Sequence, residues 1–244
     1  MRGLIVFPLL IVSLLLSACG AGGGGGNSSE LVSKMAREDI KLPASDLEQL
    51  ASANAEFAVE LYKEARQTPG NLIFSPFSIS QALAMTWGGS RGSTESNTAA
   101  VMRFMLSQDK LHPAFNALDA YLRSLAILDK QEVFKLNIAN SIWGQKDFPF
   151  LQTYLDLLAK NYAAGMRITD FSADPEAARK AVNDWVAEQT KDKIKNIVPP
   201  GVIGPDTRLV LANAIYFKAV WPNQFSTSAT ADQPFTLLDG TQIN

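Results

Sequence analysis

Few side chains in this sequence are suited to catalysis or to metal binding. His112 is the only histidine and Cys19 the only cysteine, so the residue types that most often bind zinc cannot form a cluster. A serine hydrolase would need His112 as its base, beside a serine on a strand–turn–helix nucleophile elbow, and the pattern predicts no such element. These residue types therefore disfavour a metal site and a serine hydrolase.

Neither glycine-rich stretch is interpreted as a nucleotide site. The segment AGGGGGNSSE, residues 21–30, lacks the preceding strand and the following Lys-Ser/Thr of a phosphate loop. Gly88, Gly89 and Gly92 are interpreted as a turn that ends a helix. The chain has 22 basic and 24 acidic residues and a net charge of -2. Since no basic stripe accompanies this balance, nucleic acid is not an expected partner.

The segment NLIFSPFSIS, residues 71–80, places serines on both sides of a proline within an otherwise apolar run. Pro76 suits the first turn of a helix, where its missing N–H is not needed. Residues 71–75 before it are predicted to form a short buried strand. From these residues alone, Ser75 is expected to cap the helix and Ser78 to form a local hydrogen bond.

The remaining pattern predicts an α+β protein, because helices come first and strands cluster later without a regular β-α repeat. A capping box of Ser45 and Glu48 is expected to begin the first helix. A long helix is expected to begin at Asp174 and to end before Pro199. Alternation over residues 134–142 predicts a half-buried strand.

The last part of the chain is predicted to contribute the centre of a sheet. Residues 207–221 are apolar on both faces, which is typical of an interior strand that is covered on both sides. Asn213 is an amide in the middle of this apolar strand, and Trp221 follows its end. Residues 235–243, with Asp239-Gly240 between them, predict a hairpin.

The N-terminus has the pattern of an export signal. Arg2 precedes an apolar run from Leu4 to Leu16, which is shorter than the roughly 20 residues of a transmembrane helix. The run ends in LSAC, residues 16–19, which resembles the lipobox of bacterial lipoproteins; a plain secretory signal is the alternative. We expect a signal peptide at 1–18, a lipid-anchored glycine-rich linker at 19–44 and a folded domain at 45–244. An exported protein is expected, extracellular or in the cell envelope and held on a membrane through Cys19.

Three stretches in the same order resemble the serpin family. They are NLIFSPFSISQALAMTWGGSRGST at 71–94, NDWVAEQTKDKIKNIV at 183–198 and LVLANAIYFKAVW at 209–221. The resemblance implies the serpin fold, with several helices and large mixed sheets. It also implies that the chain holds the N-terminal portion of that domain, truncated before the reactive-centre loop.

The resemblance gives four residues a role in sheet opening. In serpins the serines that match Ser75 and Ser78 lie under the point where two strands of the large sheet separate to admit the cleaved loop. Asn213 would act there from the central strand. Trp221 would mark the end of the sheet where insertion begins, and simple core packing is the alternative for this residue.

The implied function is inhibition of serine-type peptidases, less often cysteine-type ones, by suicide-substrate trapping. A peptidase would cleave the reactive loop, and the loop would then insert into the main sheet. The resemblance thus implies a protein that is not an enzyme and that needs no metal and no cofactor. One alternative is a non-inhibitory serpin that acts as a carrier or chaperone. A second is an unrelated secreted hydrolase, which the solitary histidine disfavours.

Overall fold

The computed structural model describes most of the chain downstream of the predicted signal. The described residues are 29–31, 33, 35–128, 131–162, 165–221, 223–237 and 239–243. Within these ranges lie six α-helices: α1 Ala44–Ala65, α2 Pro76–Trp87, α3 Gly92–Met102, α4 Gln108–Ser124, α5 Gln152–Tyr162 and α6 Pro175–Gln189. The described strands are β1 Ser29–Leu31, β2 Ile127–Leu128, β3 Gln131–Glu132, β4 Phe134–Gln145, β5 Met166–Thr169, β6 Leu209–Ala219, β7 Phe235–Thr236 and β8 Gln242–Ile243.

The largest sheet is mixed and has the strand order β1-β5-β4-β6. β4 and β5 run parallel, whereas β4 and β6 form a long antiparallel pair in which Phe134 lies opposite Ala219 and Gly144 opposite Leu209. Two short hairpins, β2-β3 and β7-β8, stand apart from this sheet. The predicted α+β class and the predicted hairpin at residues 235–243 are therefore confirmed.

Helices cover the sheet on both faces. On one face, Val182 and Val186 of α6 pack against Ala139 of β4 and against Ala212 and Ala214 of β6. On the other face, the cluster that contains Ile142 joins β4 to α2, α5 and β5. A separate cluster binds α1, α2, α3 and α4 together around Phe115, which is fully buried. α2 thus lies between the sheet and the helical cluster.

Two apolar segments were predicted to be buried strands. β6 was predicted to be interior; among the described strands it has β4 on one side and is the last in the sheet order, and Phe217 is 64% exposed, so its interior position stays a prediction. Residues 71–75 were predicted to be a buried strand, but they have no strand structure, and Ile73 is 97% exposed. An apolar pattern reports where a side chain can be buried, and no described strand pairs with residues 71–75 or with the edge of β6 that faces away from β4.

The helix boundaries also differ from their predictions at two places. The Ser45 capping box is not formed, since α1 begins one residue earlier and its N-cap Pro43 offers no side-chain hydrogen bond. α6 begins as predicted, with Asp174 accepting from Ala177 N at 2.9 Å. It ends at Gln189, earlier than predicted, because Lys191 and Asp192 adopt the left-handed conformation, with φ angles of 52° and 59°.

The part of the predicted linker that the structure describes lies against the domain. Ser29–Leu31 pair antiparallel with β5, on the side opposite β4. Arg37 donates from Nη2 to Asp119 of α4 at 2.8 Å, and Asn116 Nδ2 donates to the carbonyl oxygen of Glu38 at 2.8 Å. These contacts place the described residues of this segment along α4 and the outer edge of the sheet.

Candidate functional site

Ser75 and Ser78 sit at the N-terminus of α2, under the sheet. Ser75 is the N-cap residue, and its Oγ accepts from Ser78 N at 3.3 Å. This cap is the local role expected for Ser75 from the residues alone. Ser78 itself is completely buried, and its side chain does not bond locally. Its hydroxyl faces the sheet, because Pro76 and the cap fix the first turn with that side toward β6.

Asn213 connects β6 to the buried serine. Its Nδ2 donates to Ser78 Oγ at 2.6 Å and lies 3.1 Å from the carbonyl oxygen of Ser78. Asn213 also lies directly opposite Asn140 in the β4-β6 register, and Nδ2 donates to Asn140 Oδ1. The three residues predicted from the family resemblance thus meet in part: Ser78 and Asn213 are in contact, and Ser75 supports Ser78 through the cap.

Two further members of this polar network were missed by the sequence analysis. Asn140 Nδ2 donates to Gln81 Oε1 at 2.9 Å and lies 3.4 Å from the carbonyl oxygen of Ser78. A signal for Asn140 was present, since it occupies the same strand face as the apolar Ile138 and Ile142. Gln81 had no comparable signal, because a glutamine in a helix is unremarkable until the helix is known to be buried.

Other hydroxyls beside the network are buried without a hydrogen-bond partner. Ser80 is 1% exposed and Ser141 is 3% exposed, and neither Oγ has a partner among the described residues. An unpaired buried hydroxyl costs about 1–3 kcal/mol. Ser80 belongs to α2, whereas Ser141 follows Asn140 on β4 and so projects from the opposite face of the sheet, on the α6 side with Ala139.

Trp221 lies outside the core. It follows the end of β6, is 69% exposed, and its ring contacts Phe225 edge-on with 5.7 Å between centroids. Core packing of this residue is not formed among the described residues, and its role stays a prediction. Trp185, by contrast, packs partly buried on α6, where the Arg167 guanidinium lies 5.8 Å from its ring and 5.5 Å from the ring of Trp143.

His112 has a structural environment and not a catalytic one. It lies inside α4, where its Nδ1 is 2.7 Å from the Tyr162 hydroxyl and its ring packs against Trp87. Burial lowers the pKa of His112 to about 4, with a smaller contribution from the charge of Arg91. Among the described residues, Tyr162 is the hydrogen-bond partner of Nδ1, and Nε2 is buried without a partner.

Residues Gly88 to Gly92, GGSRG, match the letters of a nucleophile elbow, but their structure does not. The motif requires a strand that turns sharply into a helix. Here the segment joins the end of α2 to the start of α3, and Ser90 Oγ donates to the carbonyl oxygen of Thr86 at 3.5 Å. The interpretation of these glycines as a helix-ending turn is confirmed.

The structure does not bear on the anchor. Cys19 and the predicted signal peptide lie outside the described residues. Among the residues that are described, no helix has both the length and the apolar character to cross a membrane. Within the same ranges, no group of three His, Cys, Asp or Glu side chains is placed to hold a metal ion.

The fold and the site together define a class: an α+β protein in which a polar network joins a buried helix N-terminus to the edge strand of a mixed sheet. Comparison with known proteins identifies that class. The chain belongs to the serpin family, because residues 52–244 match the family model described as Serpin (serine protease inhibitor).

Curated relatives agree with this assignment. The chain is 40% identical over 193 residues to "Leukocyte elastase inhibitor" from Sus scrofa, an alignment that covers 78% of this chain and 50% of the relative. It is 38% identical over 197 residues to "Serpin B4" from Homo sapiens, covering 76% of this chain and 50% of that protein. The chain thus spans about half the length of the curated relatives that it matches.

Solved structures show the same fold. The thermophilic serpin Tengpin in its native state superposes with a TM-score of 0.74 at 24% identity, covering 88% of this chain and 53% of Tengpin. The Arabidopsis serpin AtSerpin1, described in its native stressed conformation, has a TM-score of 0.71 at 29% identity and covers 84% of this chain and 51% of its own. The predicted serpin fold is confirmed.

Proposed function

We propose that the protein inhibits serine-type peptidases, and less often cysteine-type ones, as a suicide substrate. The peptidase cleaves an exposed reactive loop, which the family resemblance assigns to the C-terminal part of the domain. The loop then inserts as an added strand beside β6, and the attached acyl-enzyme is dragged along and distorted. The observation that carries this proposal is the contact of Asn213 with Ser78 and Asn140, beneath the strand where a serpin sheet opens.

The physical argument concerns what strand insertion needs. An added strand gains main-chain hydrogen bonds from an unpaired sheet edge and specificity from alternate side chains. β6 presents such an edge among the described strands. The amide of Asn213 and the hydroxyl of Ser78 each can donate and accept, so they can exchange partners as β6 shifts without leaving a polar group unpaired. Trp221, exposed beyond the end of β6, is proposed to lie where the loop enters.

The inhibitor supplies the bond that is cut, and the peptidase supplies the nucleophile. No catalytic residue and no cofactor is assigned to this chain. Because the curated relatives include leukocyte elastase inhibitors, an elastase-type serine peptidase is the first target to test. Export through the signal at 1–18 and lipid attachment at Cys19 belong to the same proposal, and they would hold the inhibitor at a membrane facing its target.

The test is a mixing experiment with the full-length gene product. The protein is incubated with elastase-, trypsin-, chymotrypsin- and subtilisin-type peptidases and then analysed on a denaturing gel. We expect a covalent band of the summed mass with at least one of them, and no band when the catalytic serine has been blocked beforehand. Cleavage of the protein without any such band, for every peptidase, would instead favour the non-inhibitory carrier or chaperone.

A further inference from the structure

A small, partly open cavity lies where α2, α4, α5 and β4 meet. The volume that the centres of water molecules can occupy there is about 40 Å³. A single water needs roughly 10–15 Å³ by this measure, together with two to four polar partners. The cavity is lined by Gln81, Met85, Asp119, Arg123, Ile138, Asn140 and Tyr162.

Asp119 contributes a buried carboxylate, and one of its two oxygens has no hydrogen-bond partner among the described residues. The residue is 3% exposed. Its Oδ2 accepts from Arg37 Nη2 at 2.8 Å and from Arg123 Nε at 2.9 Å. Its Oδ1 is buried and has no hydrogen-bond partner among the described residues. A buried carboxylate oxygen in this state is costly, since an ionised carboxylate is an acceptor with several lone pairs to satisfy.

Two polar networks end at this cavity from opposite sides. From α4, Arg123 Nη2 donates to the carbonyl oxygen of Ile138 on β4 at 3.1 Å, so the ion cluster of Arg37, Asp119 and Arg123 reaches the wall of the cavity. From the sheet, Asn140 binds Gln81 and accepts from Asn213. Members of both networks line the cavity, yet no direct hydrogen bond joins Asp119 to Asn140 or Gln81 in the described residues.

We propose that the cavity is a binding site for one or two ordered water molecules that donate to Asp119 Oδ1. The same water bonds to the amide side chains of the opposite wall and joins the ion cluster to the sheet network. A cation is the wrong ligand, because two guanidinium groups already balance the carboxylate. A neutral molecule that both donates and accepts hydrogen bonds, such as water, suits the carboxylate on one wall and the amide side chains on the other.

The water site has a consequence for the N-terminal segment. Arg37 precedes residues 52–244, the part that matches the serpin family model, and it binds the carboxylate that faces the cavity. Through the water, a residue outside the family match is connected to Asn140 and hence to Asn213. This inference concerns the native packing alone and does not depend on whether the protein inhibits a peptidase.

The direct test is a high-resolution crystal structure of the full-length protein. We expect at least one density peak within hydrogen-bond distance of Asp119 Oδ1, roughly 2.6–3.2 Å. A cavity without such a peak, or one filled by a neighbouring side chain, would overturn the water site.

A thermal double-mutant cycle tests whether the water joins the two networks. Asp119→Asn and Gln81→Met each change one wall, and we expect their losses in Tm to be non-additive by roughly 2–4 °C, which is the shift for 1 kcal/mol in a protein of this size. Asn183→Leu is the matched control, since Asn183 is a buried amide of α6 on the other face of the sheet that hydrogen-bonds to Val198. It should combine additively with Asp119→Asn. Equal additivity for both pairs would show that the networks are independent.

Discussion

The side chain of Asn213 donates to Ser78 Oγ over 2.6 Å and so joins two residues that stand 135 positions apart in the chain. One residue belongs to the edge strand of the main sheet and the other to the first turn of the helix beneath it. Both side chains belong to a buried polar network between α2, β4 and β6 that also includes Asn140 and Gln81. The contact therefore fixes where β6 rests on α2, through groups that can exchange partners if β6 moves.

Replacement of Asn213 should loosen this resting position. Asn213→Ala removes the donor and leaves Ser78 Oγ and Asn140 Oδ1 short of a partner, which should cost about 1–3 kcal/mol. In the full-length protein we expect faster conversion to an inserted or polymeric form on mild heating, by about tenfold for each 1.4 kcal/mol lost from the starting state. Native gels over time measure this rate.

Asn137→Ala is the control for that experiment. Asn137 is an amide on β4 that donates to the Gln189 carbonyl oxygen at 2.9 Å, on the α6 side of the sheet. Its loss should lower stability without a comparable increase in conversion rate. If both variants converted equally fast, or if neither changed the rate, Asn213 would be an ordinary strand residue.

The buried histidine predicts acid lability. Burial lowers the pKa of His112 from 6.5 to about 4 in the folded protein, so the unfolded chain binds this proton first as the pH falls. The contribution of His112 to the free energy of unfolding is fully present above pH 6.5 and decreases as the pH falls from about 6.5 to 4. The total loss is about 3 kcal/mol. Unfolding midpoints in urea across this pH range measure the loss.

His112→Gln separates this effect from other titrations. The glutamine offers an amide near the Tyr162 hydroxyl but carries no titrating group, and His112 is the only histidine of the chain. The variant should show a flatter dependence of stability on pH between 4 and 6.5, whatever its absolute stability. An unchanged slope would assign the acid lability to carboxylates.

Local signals in the sequence predicted where helices and strands form better than they predicted which elements pack beside them. The proline and serine at the start of α2, the aspartate cap of α6 and the alternation of β4 each have a cause within a few residues, and each is found in the structure. Exposure of β6 and of residues 71–75 depends on which other strands lie alongside, and no local pattern contains that information.

The candidate site shows the same division. Ser78 and Asn213 were predicted through the family resemblance, whereas Asn140 could have been found as an amide on an apolar strand face. Gln81 and Asp119 could not, since their importance arises only when α2, α4 and β4 are packed together. The docking of Arg37 was hidden for a similar reason, because Arg37 lies within the segment 19–44 that was predicted to be a linker.

The lipid anchor remains a prediction with a simple test. If LSAC at residues 16–19 is a lipobox, Cys19→Ser should abolish incorporation of a tagged fatty acid and move the protein from the membrane fraction to the soluble one. Ser17→Ala, which leaves Cys19 in place, is the control and should still be labelled. Equal labelling of the wild type and the Cys19 variant would contradict lipidation at this residue.

The edge of β6 predicts self-association of residues 19–244 expressed alone. Phe217 on this strand is 64% exposed, and the edge of β6 that faces away from β4 has no partner among the described strands. An unpaired apolar edge is a template for pairing with another chain. We expect oligomers by light scattering and no covalent band with the peptidases named above.

Phe217→Lys should shift the sample toward monomer, because a charge on an edge strand opposes pairing. Val101→Lys is the control, at a residue 71% exposed on α3, and should not shift it. A monomeric wild-type chain with a cooperative melt, or an equal effect of both lysines, would show that β6 is not the surface through which the chains associate.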